Sequence, residues 1–356
     1  MIQSGYFNPQ QLAQEITSFN QKFVKGLDNL KKIQNIPAGV TEKEIVFQKD
    51  KVTLYHYKPH IKQKQKNNRP LLICYALVNR PYMTDIQENR STVRGLMEAG
   101  QDVYLIDWGY PDRTDKYLTM DDYINGYLDL CVKELCKRHN LDAIDLLGIC
   151  QGGAFSLCYA AMHPQNIHKL ITMVTPVDFH TPDNTLTHWI KNVDVDLLVD
   201  TMGNISGDDM NWTFLSMKPF ELMGQKYLNM VEIMQDEATL QNFMQMEQWI
   251  FDSPDQAGET YRQFIKDFYQ KNLLIKGEVK IGAHQVDLKN ITMPVLNIYA
   301  KDDHLVPPSA SMALKKYVGT KDYTELSFNG GHIGIYVSGR AQKEVPPAIG
   351  KWLNAA

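Results

Sequence analysis

One cysteine of this chain stands where the sequence would place a reactive nucleophile. Cys150 is the centre of Gly-Ile-Cys-Gln-Gly, which follows the apolar, β-favouring run Ile144 to Ile149 and precedes the helical pattern Gly153 to Met162. Gly148 and Gly152 would let the backbone turn sharply from strand to helix and raise the side chain above a sheet. The positive end of the helix dipole would favour the thiolate, the nucleophilic form of cysteine. We therefore expect a nucleophile elbow, the G-x-S-x-G turn with cysteine in place of serine.

Two later loops offer an acid and a base in the chain order that such an elbow requires, nucleophile first, then acid, then histidine. Asp302 and Asp303 follow the apolar run Val295 to Ala300, and by spacing alone either carboxylate could serve. His332 follows the run Tyr323 to Phe328, among glycines that would let the backbone place an imidazole over the site. The other histidines lack this setting, and we interpret them as structural or exposed.

These residue types together suit acyl transfer through a covalent thioester. His332 would take the proton of Cys150, one aspartate would hold the imidazole in the correct tautomer, and backbone N–H groups would stabilise the oxyanion. We expect those donors to be the N–H of Gln151 and an N–H of the loop around Val78 and Asn79. A cysteine attacking a thioester forms another thioester of nearly equal energy, so the acyl group stays activated for a further acceptor. The alternative is a thioesterase or Cys-type hydrolase, which would pass the acyl group to water with the same triad.

The elements that must position these residues alternate along the chain. Helical patterns at Arg90 to Ala99, Met120 to His139 and Gly153 to Met162 separate continuous apolar runs. Those runs are Leu71 to Val78, Asp102 to Trp108, Ile144 to Ile149, Leu170 to Val174 and Val295 to Ala300. Uninterrupted apolar strands alternating with helices indicate a parallel sheet covered on both faces, with ligands above the carboxyl ends of its strands. With the elbow, this pattern predicts an α/β-hydrolase fold, a doubly wound and mostly parallel sheet.

The order of strand and helix patterns along the sequence predicts a core in two parts. The first part, residues 1–178, would begin with a helix over residues 8–33 and a hairpin turning at Lys49 to Lys51, and the second would be residues 288–356. Between them, residues 179–287 read as a helical cap insertion without a strand, rich in methionine and aromatic residues. The methionines suit adaptable core packing or, in the sharper interpretation, a deformable channel for an acyl chain.

Composition excludes several classes of protein. With 356 residues, a formal charge of −4 and a pI near 6.2, the chain has no electrostatic footprint for nucleic acid or an anionic membrane. Its 5 cysteines are an odd number, which does not suit a disulfide framework. The four besides Cys150 fall within strand and helix patterns, where we expect buried, unreactive thiols. No signal peptide or apolar run of membrane-spanning length is present, so we expect a soluble, cytoplasmic protein with no membrane span.

Beyond these physical patterns, the chain resembles the catalytic subunits of class III polyhydroxyalkanoate (poly-3-hydroxybutyrate) synthases. The match runs from the N-terminal helix to the last one, and class IV catalytic subunits, which have a different partner, are also similar. Seven stretches carry the resemblance: Tyr75 to Ile86, Asp102 to Pro111, Gly148 to Gly153, Thr175 to Asp178, Trp249 to Gly258, Asp303 to Pro308 and Gly330 to Tyr336.

The resemblance implies an acyltransferase that polymerises (R)-3-hydroxyacyl-CoA, chiefly 3-hydroxybutyryl-CoA, with release of CoA. Cys150 would carry the growing chain and His332 would activate it. Asp303, and not Asp302, would activate the 3-hydroxyl of the incoming monomer, so that Asp303→Asn should still acylate Cys150 but elongate poorly. No cofactor and no metal are implied, because the coenzyme A thioester is the substrate and CoA a product.

The same resemblance implies partners. A second, non-catalytic synthase subunit of the PhaE type would associate with this chain, in an oligomer. The growing polyester and the surface of cytoplasmic polyhydroxyalkanoate granules would be its other contacts, and no nucleic acid is implied.

Overall fold

The computed structural model describes residues 9–32, 39–59, 69–220 and 230–355. These residues belong to two compact units. The larger comprises Ala38–Asn211 and Asp252–Ala356, and the smaller comprises Met1–Pro37 and Trp212–Phe251. The bounds of the expected cap, residues 179–287, stay a prediction beside this division, in which the N-terminal helix groups with Trp212–Phe251.

The larger unit is built on one eight-stranded sheet. Its strands are β1 (Lys43–Lys49), β2 (Val52–Tyr57), β3 (Pro70–Cys74), β6 (Asp102–Asp107), β7 (Ile144–Ile149), β8 (Ile167–Met173), β11 (Val295–Ala300) and β12 (Tyr323–Phe328). The short strands β4 (Asp85–Gln87) and β5 (Arg90–Ser91) pair with each other outside this sheet. The strand order across the sheet is β1-β2-β6-β3-β7-β8-β11-β12. In that order the neighbours from β6 onward pair parallel, whereas β1 with β2, and β2 with β6, pair antiparallel. The expected hairpin therefore forms, and it extends the sheet at one edge.

Helices cover this sheet and form the smaller unit. In chain order they are α1 (Pro9–Lys32), α2 (Thr92–Glu98), α3 (Asp129–His139), α4 (Gln151–Met162), α5 (Thr185–Ile190), α6 (Val195–Met202), α7 (Gly207–Ser216), α8 (Met230–Ile233), α9 (Glu237–Phe251), α10 (Gly258–Phe264), α11 (Pro308–Met312), α12 (Gly334–Val337) and α13 (Gly339–Leu353). All residues of β3, β6 and β7 are buried, as strands covered on both faces must be. The α/β-hydrolase architecture expected from the sequence is confirmed.

Two predictions about strands are wrong. The run from Leu71 was expected to continue as strand to Val78, but β3 ends at Cys74, and the carbonyl of Tyr75 accepts a hydrogen bond from Trp108 Nε1 at 2.9 Å. The region 179–287 was expected to lack strands, yet it contains the hairpin of β9 (Val279–Ile281) and β10 (His284–Val286). Buried and exposed residues alternate along β9, which is the two-residue period of a strand.

The C-terminal helix is fastened to the sheet by one lysine. Lys169 of β8 is buried, and its Nζ donates hydrogen bonds to the carbonyls of Trp352, Leu353 and Ala355 at 3.3, 3.2 and 2.7 Å. These are carbonyls at the end of α13, which a helix leaves without partners of its own. A single cation therefore caps α13 and joins it to β8.

In the smaller unit, α1 packs against the helical segment at Met234. The Asn29 amide donates to the carbonyl of Met234 at 2.9 Å, and a Cβ placed on Gly26 would lie 2.6 Å from the Met234 Cβ. This close approach explains why the N-terminal helix groups with residues 212–251. Among the helices of the described ranges, none combines the length and apolarity that crossing a bilayer requires.

Candidate active site

Cys150 occupies a tight turn between β7 and α4. Its backbone has φ 54° and ψ −124°, a conformation that residues other than glycine rarely adopt. The turn is held because the Cys150 N–H donates to the Met173 carbonyl at 3.0 Å, and the Cys150 carbonyl accepts from the N–H of Gly153 at 2.9 Å. Strain of this kind persists where the surrounding structure fixes it, often at functional sites. The side chain is half-buried at the carboxyl end of the central strand.

Close packing explains the glycines around the nucleophile. A Cβ on Gly152 would fall on the backbone carbonyls of Cys74 and Tyr75, at the end of β3. A Cβ on Gly148 would lie 2.5 Å from the Cα of Gly153, and one on Gly153 would overlap the Thr175 hydroxyl. The glycines therefore allow the first turn of α4 to lie directly against the neighbouring strand ends. That contact sets the direction in which the cysteine side chain leaves the elbow.

His332 and Asp303 form a buried pair. The His332 Nδ1 lies 2.7 Å from Asp303 Oδ2, and both side chains are at most 5% exposed. The second oxygen, Oδ1, accepts hydrogen bonds from the N–H groups of Leu305 and Val306, each at 2.9 Å. The carboxylate is therefore fixed by the loop after β11, and it fixes the imidazole in turn. Since Nδ1 faces the carboxylate, Nε2 is the nitrogen left for the nucleophile.

Cys150 lies close enough to the imidazole to raise the pKa of His332, through its charge and through hydrogen bonding. Burial, the largest single effect, lowers the pKa of His332. The negative charge of Asp303, the neighbouring Cys150 sulfur and the hydrogen bonds to both outweigh burial, and together they hold that pKa well above its ordinary value. The arrangement can therefore hold a proton on His332 beside the sulfur.

The two adjacent aspartates have different surroundings. Asp302 is exposed, and its N–H donates to the Gly330 carbonyl at 3.0 Å, which ties the two catalytic loops together. Asp303 is the carboxylate that reaches His332. Spacing alone left both open, and the structure brings only Asp303 into the pair.

The residues expected to bind the oxyanion lie at the elbow. Gln151 is the first residue of α4, so its N–H belongs to the first turn, which has no partner within the helix. Its side-chain Oε1 accepts a hydrogen bond from the N–H of Leu77 at 3.2 Å. The loop that carries Val78 therefore lies beside the nucleophile. The role of the Gln151 and Val78 N–H groups stays a prediction.

Three tyrosines around Cys150 were missed in the sequence. The rings of Tyr75 and Tyr336 meet edge to face, with centroids 6.4 Å apart at 83°, and Tyr269 comes from the segment after α10. All three are buried, and burial followed by the charge of neighbouring groups, among them Cys150, raises the pKa of each. The residues lie in three distant parts of the chain, so only the fold brings them together. Three buried, neutral tyrosines therefore lie within electrostatic reach of Cys150.

The remaining cysteines differ from Cys150. Cys74, Cys131 and Cys158 are buried and Cys136 is half-buried. Burial raises the pKa of Cys74 and Cys158 to about 12, which keeps both as thiols at neutral pH. The burial of Cys74, Cys131 and Cys158 agrees with the expectation of small apolar side chains, whereas Cys136 is less buried than expected.

Comparison with known sequences finds relatives that match nearly the whole chain, each a poly(3-hydroxyalkanoate) polymerase subunit PhaC. The protein of Thiocystis violacea is 62% identical over 347 residues, 97% of each chain. That of Allochromatium vinosum is 62% identical over 346 residues, 97% of this chain and 98% of the relative. That of Synechocystis sp. is 55% identical over 349 residues, 96% of this chain and 92% of the relative.

Comparison of folds agrees with the sheet described above. The family model for the α/β-hydrolase fold matches residues 69–338. A solved structure from work on LipS and LipT, two metagenome-derived lipolytic enzymes, aligns with a TM-score of 0.50 at 12% identity, over 90% of this chain and 99% of that one. At this identity the likeness supports the fold alone.

Proposed function

The chain belongs to the PhaC family of poly(3-hydroxyalkanoate) polymerase subunits, built on the α/β-hydrolase fold, and from this premise we propose how its site makes polyester. It is an acyltransferase of that family. The substrate is (R)-3-hydroxyacyl-CoA, chiefly 3-hydroxybutyryl-CoA. The observation that supports the mechanism is the buried pair of His332 and Asp303, whose imidazole responds electrostatically to Cys150 at the elbow.

In the acylation step, the Cys150 sulfur attacks the thioester carbonyl of the substrate. His332 takes the thiol proton, and backbone N–H groups of Gln151 and Val78 stabilise the oxyanion of the tetrahedral intermediate. When the intermediate collapses, the bond to the CoA sulfur breaks and His332 returns the proton to that sulfur. The products are CoA and an acyl group held as a thioester on Cys150.

In the elongation step, the 3-hydroxyl of another hydroxyacyl-CoA attacks the Cys150 thioester. The hydroxyl loses its proton to His332, an oxygen ester forms, and the Cys150 sulfur leaves. The chain, one unit longer, is then attached to CoA, and Cys150 recovers it by repeating the acylation step with release of CoA. Each cycle forms one ester and consumes one thioester. Neither step needs a cofactor or a metal ion.

Asp303 acts through His332 in this proposal. Its side chain is fully buried, and both of its oxygens already accept hydrogen bonds, from His332 and from two backbone N–H groups. To act directly as base for the 3-hydroxyl, the role that the family resemblance implies, the carboxylate would have to give up one of them. Orientation of the imidazole is the role that fits the contacts without rearrangement.

The proposal extends to partners. Because the matching relatives are named as polymerase subunits, we propose that a second, non-catalytic subunit of the PhaE type completes the enzyme, as in class III synthases. The complex would be an oligomer that works at the surface of cytoplasmic polyester granules, where its product accumulates.

The test is CoA release from (R)-3-hydroxybutyryl-CoA, with the product sized, by this chain alone and with its candidate second subunit. Polymer that forms slowly with the chain alone and faster with the partner is the expected result. CoA release that yields only free 3-hydroxybutyrate would assign the site to a thioesterase. An unchanged rate on adding the partner would remove the two-subunit part of the proposal.

A further inference from the structure

The loop after β3 is held beside the nucleophile on both sides of Val78. On one side, the N–H of Leu77 donates to the side chain of Gln151, the residue that follows Cys150. On the other side lies Asn79, whose φ of 59° is in the left-handed region. Asparagine adopts this region more readily than most residues. Asparagine therefore suits the backbone conformation at position 79, and the Asn79 side chain has a second role.

The Asn79 side chain joins a small polar cluster, which we call the amide clasp and define as Asn79, Asn211 and Ser253. The Asn79 Nδ2 donates to Ser253 Oγ at 2.5 Å and, at the longer distance of 3.5 Å, to Asn211 Oδ1. Ser253 Oγ donates to Asn211 Oδ1 at 3.2 Å. The three side chains thus bond to one another, and Asn211 is buried.

The two partners of Asn79 come from segments that are themselves joined. Ile205 and Gln256 exchange backbone hydrogen bonds at 3.0 and 2.9 Å, and a Cβ on Gly207 would overlap the Ser253 carbonyl. Next to Ser253, the Asp252 carboxylate accepts hydrogen bonds from Tyr82 at 3.0 Å and from Tyr110 at 2.6 Å. The clasp therefore rests on paired backbone segments and is reinforced close by. It is a firm anchor for the loop.

We propose that Asn79 is a positioning residue for acyl transfer, one that fixes the direction of the Val78 N–H. The inference rests on the proposed function, in which that N–H binds the oxyanion. Leu77 is tied to Gln151 and Asn79 to the clasp, so the peptide groups around Val78 cannot rotate independently. Donors that are already aimed before the oxyanion forms stabilise it without reorganisation. The clasp supplies that preorganisation from outside the triad.

The test uses three variants of the full chain. Asn79→Gly keeps a residue suited to positive φ and removes the side chain, Asn79→Asp keeps the shape and removes the amide donor, and Ser253→Ala removes one acceptor. We expect CoA release from 3-hydroxybutyryl-CoA to fall by about 10- to 100-fold in kcat for the two Asn79 variants, with a smaller change in KM and a partial loss in Ser253→Ala. Asn204→Asp is the matched control, because the Asn204 amide donates to the Asp112 carbonyl, away from the loop, at 2.6 Å.

Alkylation of Cys150 by iodoacetamide separates positioning from damage to the fold. This displacement forms no oxyanion, so its rate should stay near that of the unmodified chain in both Asn79 variants while acyl transfer falls. Parallel loss of alkylation, or normal kcat in Asn79→Gly, would overturn the inference. If the unmodified chain releases CoA but makes only free acid, the proposed polymerase chemistry fails, while the effect of Asn79 on CoA release is still measured.

Discussion

Asp302 and Asp303 are chemically identical neighbours, yet only one of them contacts the base. The difference lies in burial and in backbone donors, since the Asp303 carboxylate accepts two N–H groups and the imidazole while Asp302 points to solvent. Three donors therefore fix the orientation of the Asp303 carboxylate. At the scale of single residues, the site is therefore defined by the environment that each side chain meets.

Replacing the acid tests its role directly. In Asp303→Asn, the amide oxygen would still accept hydrogen bonds from the N–H groups of Leu305 and Val306. The NH₂ group of the amide would then face His332. Nδ1 would then be an acceptor and Nε2 would carry the proton, so His332 could no longer take the proton of Cys150. We expect acylation of Cys150 to slow by about 10³- to 10⁴-fold, measured by mass spectrometry of the acyl-enzyme in single turnover.

Asp302→Asn is the control for that change and should acylate at nearly the normal rate, because Asp302 is exposed. Normal acylation in Asp303→Asn with slow elongation would contradict the orienting role. It would instead support Asp303 as the base for the incoming hydroxyl.

The raised pKa of His332 predicts a pH dependence of stability. A group whose pKa is higher in the folded state stabilises that state fully below its ordinary value of 6.5, and this stabilisation is lost as pH rises through the raised value. The unmodified chain should therefore have a higher free energy of unfolding than His332→Gln, and this difference should be larger at about pH 6 than at about pH 9. Urea titrations at both pH values measure this difference. A constant difference would show that the protonated imidazole contributes nothing.

At the scale of elements, the sequence predicted those parts whose signal is local. The run Ile144 to Ile149 is apolar, ends at the elbow and matches β7 residue for residue. The run predicted from Leu71 extends beyond β3, because Tyr75, Ala76 and Leu77 are buried in a loop that contacts the elbow at Tyr75 and Leu77. The short hairpin of β9 and β10 was missed because three-residue strands give too few alternations. Contacts between distant stretches, such as Tyr75 with Tyr336, have no local signal at all.

The packing of α4 against its neighbours predicts the effect of one methyl group. In Gly153→Ala the new Cβ would overlap the buried Thr175 side chain, and overpacking of this kind costs about 1–3 kcal/mol. We expect a lower Tm and slower acylation, because the displaced α4 carries Gln151 and follows Cys150. Gly339→Ala is the matched control, since a Cβ there meets nothing within 4 Å. Thermal unfolding that leaves the two variants equal would show that α4 has room to move.

At the scale of the whole molecule, each compact unit is assembled from separated parts of the chain. The smaller unit combines the N-terminal helix with an internal segment, and the larger one is completed by β11, β12 and α13 near the C-terminus. Such an arrangement is not visible in local patterns, because each unit joins stretches that lie far apart in the sequence. The contact between the last helix and the sheet therefore joins distant parts of the chain within the larger unit.

Lys169 provides a test of that fastening. Lys169→Met would leave the carbonyls at the end of α13 without their buried donor, at a cost of about 1–3 kcal/mol. We expect lower stability and faster hydrogen exchange in the last turn of α13. Lys351→Met, on the exposed side of the same helix, should leave both unchanged. Unaltered exchange in Lys169→Met would mean that packing alone holds the helix.

The separation of the triad along the chain also governs when an enzyme can first act during its synthesis. A ribosome that has made the elbow must still add the residues up to His332, which takes roughly 10–40 s at about 5–20 residues per second. Throughout that interval the nascent polypeptide carries the nucleophile without its base, and for most of it without the acid as well. Translation therefore delays polymerisation until β11 and β12 have emerged, and polyester synthesis begins only from chains that already include His332.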